Sequence, residues 1–314
     1  MNDAKSSTKI AGIDVSKTSL EVAVGQHEPI ERFSNDAAGH GQLVSRLIQQ
    51  EVRRVGIEAT GGYERAICAM LQAAGVEVVL HQPLEVRLFA RLNRQRAKTD
   101  RLDAHLIAAA TAHRDGLRAA ADPRLAELAE RLTAYEQATD LVSQLRTYLE
   151  HTRLPDLVEL LQAQLAGLLA HKKALALDLQ RRMKTHADLY HRFELVRSLP
   201  GVGVIVALAI VIRMPELGHM QHGQPAALLG VAPFAHDSGT HKGQRFIAGG
   251  RRRPRRLLYL AALAAKRCDP AFKVFADRLA AAGKPPKLIV IAVMRKLIEA
   301  ANLVLARDAI WIRD

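Results

Sequence analysis

Two acidic residues end apolar runs near the start of the chain. K-I-A-G-I-D-V (9–15) carries Asp14, and R-R-V-G-I-E (53–58) ends on Glu58. Two more, Asp100 and Asp103, lie in K-T-D-R-L-D-A (98–104). Their i, i+3 spacing puts both on one side of a helix. Carboxylates that converge from separate elements suit a hard divalent cation, Mg²⁺ or Mn²⁺, which takes oxygen ligands and keeps several waters. Phosphodiester cleavage uses such ions to activate the nucleophile and neutralise the leaving oxygen. Each acid alone reads sooner as a helix cap or a surface ion pair. Only the set in this order points to a metal.

Two further segments could carry chemistry. L-P-G-V-G (199–203) precedes an apolar run and is similar to a helix–hairpin–helix. Gly201 and Gly203 permit a tight turn, and the N–H groups opening the next helix can bind phosphate. A plain helix connection would need the same glycines. The segment 230–253 holds Ser238 and Gly239 in a stretch rich in glycine and basic residues. A serine hydroxyl is a poor nucleophile until a base or metal activates it, and by composition alone Ser238 is a turn residue. His236 and His241 flank it, and simple loop exposure accounts for both. Lys242, Arg245 and the run Arg251, Arg252, Arg253, Pro254, Arg255, Arg256 could position a phosphate backbone or form a solvated face.

The elements that must position these residues follow from periodicity. Apolar runs predict strands over 9–15, 20–24, 31–34, 53–58 and 76–81, with helices over 41–50 and 63–75 between them. Another helix starts near Pro83, a basic segment covers 91–98, and a helix carries Asp100 and Asp103. Alternating strands and helices predict an α/β domain over 8–118. Its acids stand at strand C-termini, where open α/β sheets bind ligands. Residues 122–190 repeat leucine at helical spacing, with a break at Leu154-Pro155. They predict a long antiparallel helical hairpin, either a projecting coiled coil or an ordinary pair of core helices. Either form could pair with a second copy. Residues 191–314 predict a mainly α-helical third domain, with helices over 257–266 and 287–307.

The bulk numbers narrow the class of partner. The 314 residues carry 45 Lys and Arg against 32 Asp and Glu, a formal net charge of +13. Such charge concentrates polyanions, nucleic acid before an acidic membrane surface. Aromatics are only 4%, which disfavours a binder that works mainly by stacking single-stranded bases. Phosphate contacts by Arg and Lys fit better. Cys68 and Cys268 form no C-x-x-C pair, so no zinc ribbon or disulfide framework is expected, and a reducing cytoplasm fits. No apolar run reaches the length of a membrane span, and the first residues lack a secretory signal.

The ordered motifs resemble one family. G-I-D-V-S-K (12–17), E-A-T-G-G-Y (58–63), Q-P-L-E-V-R-L-F-A-R (82–91) and K-T-D-R-L-D-A (98–104) are followed by L-P-G-V-G (199–203) and L-G-V-A-P (229–233). Ser238-Gly239 and G-G-R-R-R-P-R-R-L-L-Y (249–259) complete the set. It is similar to that of the DEDD transposases of the insertion-sequence one-ten type, the bridge-RNA-guided recombinases. The resemblance implies a RuvC-like, ribonuclease-H-type N-terminal domain whose tetrad, Asp14, Glu58, Asp100 and Asp103, binds Mg²⁺. It implies a C-terminal transposase domain in which Ser238 is the nucleophile and forms a covalent link to DNA. It also implies partners: donor and target double-stranded DNA, a noncoding guide RNA, and further copies of the chain as a dimer or tetramer. Lys98, Arg101, Gly201, Gly203, Lys242, Arg245 and the arginines of 251–256 are then the expected nucleic-acid contacts. Pro254, which breaks the arginine run, departs from the pattern expected at a basic helix entry.

Two other functions are compatible with parts of this pattern. A hydrolytic RuvC-like nuclease would use metal-activated water and leave Ser238 structural. A non-catalytic nucleic-acid-binding protein would need none of the carboxylates.

Overall fold

The computed structural model describes residues 9–25, 28–93, 100–113, 122–234, 243 and 245–312, with the side chains of 100–102 outside the description. Ser238, Lys98 and Lys242, with the side chains of Asp100 and Arg101, therefore lie outside the described residues. The chain divides into two compact units at Ala121/Asp122.

The first unit is a five-stranded mixed sheet. Its strands are β1 (Lys9–Val15), β2 (Ser19–Val24), β3 (Glu31–Ser34), β4 (Val52–Glu58) and β5 (Glu77–His81), in the order β3-β2-β1-β4-β5. β1 pairs antiparallel with β2, and β2 with β3. β1 pairs parallel with β4, and β4 with β5. Alternation along the strands sorts side chains to two faces. Ile13, Leu20, Val55 and Ile57 form one core with Leu43 and Leu47 of α1 (Ala37–Gln49) and Ile67 and Leu71 of α2 (Arg65–Ala73). α1 begins four residues before its predicted start. Asp36 caps it, accepting from the Gly39 N–H at 2.8 Å.

The other face is covered by α4 (Asp100–Ala112), after α3 (Pro83–Leu92). α4 lies so close that strand side chains must vanish beneath it. A Cβ on Gly12 would stand 2.1 Å from the Ala104 carbonyl oxygen, and one on Gly56 would stand 1.9 Å from Thr111 Oγ1.

Among the described residues the second unit is helical apart from one short ladder. α5 (Pro123–His151) and α6 (Pro155–Lys184) are joined across Leu154. Glu127 meets Arg182 at 2.8 Å, and Arg131 meets Asp178 at 3.0 Å. Leu128 and Leu132 of α5 and Leu179 and Met183 of α6 enter the core of this unit. Leu141, Leu157, Leu160 and Leu177 stay exposed. The long helices thus share a core with the helices that follow them and do not form a separate body.

α8 (Val204–Arg213) is buried from Val206 through Ile212, as befits a helix apolar on all sides. Against it pack α5, α7 (Ala187–Arg197) and α10 (Arg252–Cys268), while α12 (Pro286–Arg307) packs on α7, α10, α9 (Gln224–Leu229) and α11 (Pro270–Ala281). β6 (Pro233–Phe234) and β7 (Phe246–Ile247) form the antiparallel ladder, which the helical prediction omitted. α10 starts at Arg252, five residues before the predicted Leu257. Pro254 sits in its first turn, where a missing N–H costs nothing. Among the described residues no helix is long and apolar enough to cross a membrane.

Candidate functional site

Asp14 and Glu58 are neighbours by register. Ile13 pairs with Ile57 in the parallel ladder, and each acid follows its isoleucine by one residue. Asp14 shares a face with Gly12, and Glu58 with Gly56, because residues two apart on a strand point the same way. Both acids therefore project from the face that α4 covers, and both are half-buried. Asp103 immediately precedes Ala104, the residue lying on Gly12. Asp100 opens the same helix. The close packing thus brings the acidic end of α4 to the strand that carries Asp14.

Pairing extends this row across the sheet. Glu21 stands opposite Asp14 on β2, and Arg32 stands opposite Glu21 on β3. On the other side His81 of β5 pairs with Glu58. Glu21 brings another carboxylate that single-residue motifs do not reveal, and its Oε2 is buried with no hydrogen-bond partner. Only strand register identifies it. His81 is 3% exposed, and its Nε2 lies 2.8 Å from Thr111 Oγ1. That hydroxyl donates to the Ile107 carbonyl at 2.6 Å, so His81 Nε2–H is the donor to it.

The loop after Glu58 is shaped by Glu64, which sequence reasoning also passed over. Glu64 is 8% exposed, and its Oε2 accepts from the Thr60 N–H (3.2 Å), the Thr60 hydroxyl (2.8 Å) and the Gly62 N–H (2.9 Å). Burial pushes its carboxyl up, but these hydrogen bonds and its own backbone N–H outweigh that and leave it below the ordinary value. Gly61 and Gly62 take φ of 84° and 132°, conformations glycine adopts without penalty. E-A-T-G-G-Y-E is thus a turn tied to its own last acid.

As a metal site the carboxylates offer only hard oxygen donors, the chemistry Mg²⁺ and Mn²⁺ prefer. Among the described residues no group of three or more His, Cys, Asp or Glu converges closely enough to hold a metal ion. The described part of the set is the pair Asp14 and Glu58, with Asp103 on the helix above.

In the second unit the basic run divides by use. Arg251 donates to Glu216 (2.8 Å) and to the Arg213 carbonyl. Arg253 donates to Glu136 (2.8 Å) and Thr133 (2.9 Å). Arg255 donates to the Gly230 (3.0 Å) and Gly249 (2.9 Å) carbonyls, and Arg256 to Asp140 (2.7 Å). Arg252 is exposed and makes no such contact among the described residues. Arg245 is exposed at the start of the segment that leads into β7. Gly201 is a packing residue: at φ 73° its Cβ would meet the Ala261 carbonyl at 2.4 Å. Gly203 is exposed and caps α8 in extended conformation, with no side-chain cap for the first N–H groups of that helix.

Comparison with known proteins agrees with this arrangement. A DEDD transposase model of IS110 elements matches residues 11–153, and the Transposase IS116/IS110/IS902 family model matches residues 193–277. The chain is 25% identical to a pilin gene-inverting protein of Moraxella bovis across 95% of both chains. It is 24% identical to the pilin gene-inverting protein of Moraxella lacunata, also across 95% of both. An insertion element IS110 protein of 43.6 kDa from Streptomyces coelicolor is 34% identical over 94 residues, 28% of this chain and 22% of that one. The two models together span well over half of the chain and fall on the acidic sheet face and on the helical core with its arginine run. The chain belongs to the IS110-type family of DEDD transposases, and it is a DNA transposase or recombinase.

Proposed function

We propose that this chain cuts and rejoins DNA strands to move an insertion sequence, with Ser238 as nucleophile and the four carboxylates as the Mg²⁺ or Mn²⁺ site. The observation that carries the reading is the register placing Asp14 beside Glu58 under the helix of Asp103. The strand order, two antiparallel pairs followed by two parallel ones, supports a ribonuclease-H-type, RuvC-like unit. The relatives' printed name, gene inversion, describes a rearrangement of DNA.

The chemistry is a pair of phosphoryl transfers. The Ser238 hydroxyl attacks a backbone phosphorus; an O–P bond forms, one P–O bond of the strand breaks, and the departing oxygen takes up a proton. A hydroxyl of the receiving strand then attacks the same phosphorus, and Ser238 leaves with its proton restored. One phosphodiester is made for each one broken, so no nucleotide cofactor is consumed. A divalent cation on the carboxylates would lower the charge on the phosphate and stabilise the leaving oxygen. Asp14, Glu58, Asp100 and Asp103 would hold it, and α4 would fix their separation.

In this proposal a noncoding guide RNA selects the sites by base pairing, and the protein reads backbone and duplex shape. α5 and α6 act as an antiparallel hairpin whose exposed leucines pair copies of the chain into a dimer or tetramer. Ser238 and the carboxylates are at least 135 residues apart in sequence, so in this proposal folding or oligomerisation joins them.

Denaturing gels with end-labelled donor and target DNA, the cognate RNA and Mg²⁺ test the reading. A protein–DNA adduct is expected with the native chain, none with Ser238→Ala, and no cleavage with Asp14→Asn. Cleavage that persists in Ser238→Ala without an adduct would replace it with metal-assisted hydrolysis.

A further inference from the structure

A cleft of about 1100 Å³ opens between α10 and α12 beside the ladder strand β7. Its rim carries Arg252, Arg255, Arg256 and Lys287, and among the described residues no carboxylate lines it. Arg255 and Arg256 already have partners, Gly230 and Asp140. Arg252 and Lys287 are exposed and have no hydrogen bond or ion pair among the described residues. The floor is apolar: Tyr259, Leu260, Ile291 and Met294. Lys287 lies beyond both family models, which end at residues 153 and 277.

We infer that this cleft holds an unpaired stretch of the DNA strand being exchanged. Arg252 and Lys287, both without a partner among the described residues, can take backbone phosphates. A paired duplex would present only phosphates and sugars there and leave the apolar floor wet. An unpaired nucleotide offers its base as well, which an aromatic and aliphatic floor takes without reading sequence. DNA is the occupant because Ile247–Gly250, which bound the cleft, follow directly on the segment 235–246 that contains Ser238. That choice rests on the proposed serine chemistry. A strand handed from one partner to another has to leave its complement first, and this cleft is where the protein would carry it meanwhile.

Fluorescence anisotropy of the full chain with labelled single-stranded DNA, titrated with salt, tests the inference. Each lost phosphate contact lowers the slope of log K against log salt by about 0.7 for a single strand. Lys287→Gln and Arg252→Gln are each expected to do so, and the double variant to bind roughly tenfold more weakly at low salt. Tyr259→Leu is expected to weaken binding about fivefold or more while leaving the slope unchanged. Lys273→Gln, an equal charge change on α11, is the control and is expected to match the native chain. Native slopes in both Lys287→Gln and Arg252→Gln would overturn the inference, as would equal losses on duplex DNA or losses confined to RNA of the same sequence. The assay reads binding alone. A chain that shows these losses but forms no adduct counts against the serine reading and leaves the cleft in place.

Discussion

Ala104 rests on Gly12 with room for a hydrogen and nothing larger: a Cβ at position 12 would stand 2.1 Å from its carbonyl oxygen. This contact sets the height of Asp103 above Asp14. Gly12→Ala is therefore expected to lift α4 and destabilise the first unit by about 1–3 kcal/mol, the usual cost of overpacking. Urea unfolding followed by circular dichroism measures it. Cleavage is expected to fall further than the loss of folded protein explains. Native stability in Gly12→Ala would show that the helix yields freely.

Asp14 and Glu58 are like charges on adjacent strands. Direct neighbours of that kind destabilise a sheet unless a cation lies between them. Asp14→Asn and Glu58→Gln are expected to abolish the rise in melting temperature that Mn²⁺ is expected to give the native chain. Loss of an outer partner of a metal ligand costs roughly 10–100-fold in activity, and loss of a ligand costs more. Differential scanning fluorimetry with and without Mn²⁺, alongside cleavage assays, separates the two effects. A variant that Mn²⁺ stabilises as much as it does the native chain would show that the replaced acid does not hold the ion.

Glu64 ties the loop after Glu58 and has a depressed pKa, with burial opposed and outweighed by its hydrogen bonds. A group lowered in the folded state stabilises it at pH above its unfolded value. That stability is lost as pH falls through the lower, folded value. Glu64→Ala is expected to cost about 2–3 kcal/mol at neutral pH, the scale of hydrogen bonds to a buried charge. The gap from the native chain should close in acid. Unfolding curves across the acid limb check the sign; a gap that widens toward low pH would contradict it.

The two cysteines should differ sharply in reactivity. Burial, and then the charge of Glu64, push the Cys68 thiol up to about 12. Cys268 is exposed at the end of α10. The thiolate is the reactive form. Iodoacetamide at neutral pH is expected to label Cys268 and to spare Cys68 until the chain is unfolded, as read by peptide mass spectrometry. Comparable labelling of both in the native chain would show that α2 opens readily.

The strands were legible as short apolar or alternating runs bounded by turn residues. Lys9–Val15 and Glu31–Ser34 fall where the pattern places them. The adjacency of Asp14 and Glu58 needed more, since it depends on which strands pair and in what register. Glu21 joins their row through an antiparallel partner, and nothing about its own neighbours in sequence marks it. The start of α10 was obscured by Pro254, which reads as a breaker until its place in the first turn is known. The β6–β7 ladder is two residues a side, too short for any period to show. The uses of the arginines were the least legible, because their partners Glu136, Asp140 and Glu216 lie on other helices and loops.

Those partners have a consequence for discrimination among polyanions. Arg256 is bound to Asp140 on the outside of the fold, while Arg253 is exposed but shares the mostly buried Glu136 with Arg213. An exposed pair such as Arg256–Asp140 is worth about 1 kcal/mol or less. Each carboxylate thus acts as an internal competitor, a tenant that any arriving phosphate has to evict. A stray polyanion that reaches one arginine gains little from the exchange, whereas a strand aligned along the whole face displaces several at once. The acids set a threshold, and the chain's large positive charge is kept from answering every nucleic acid it meets.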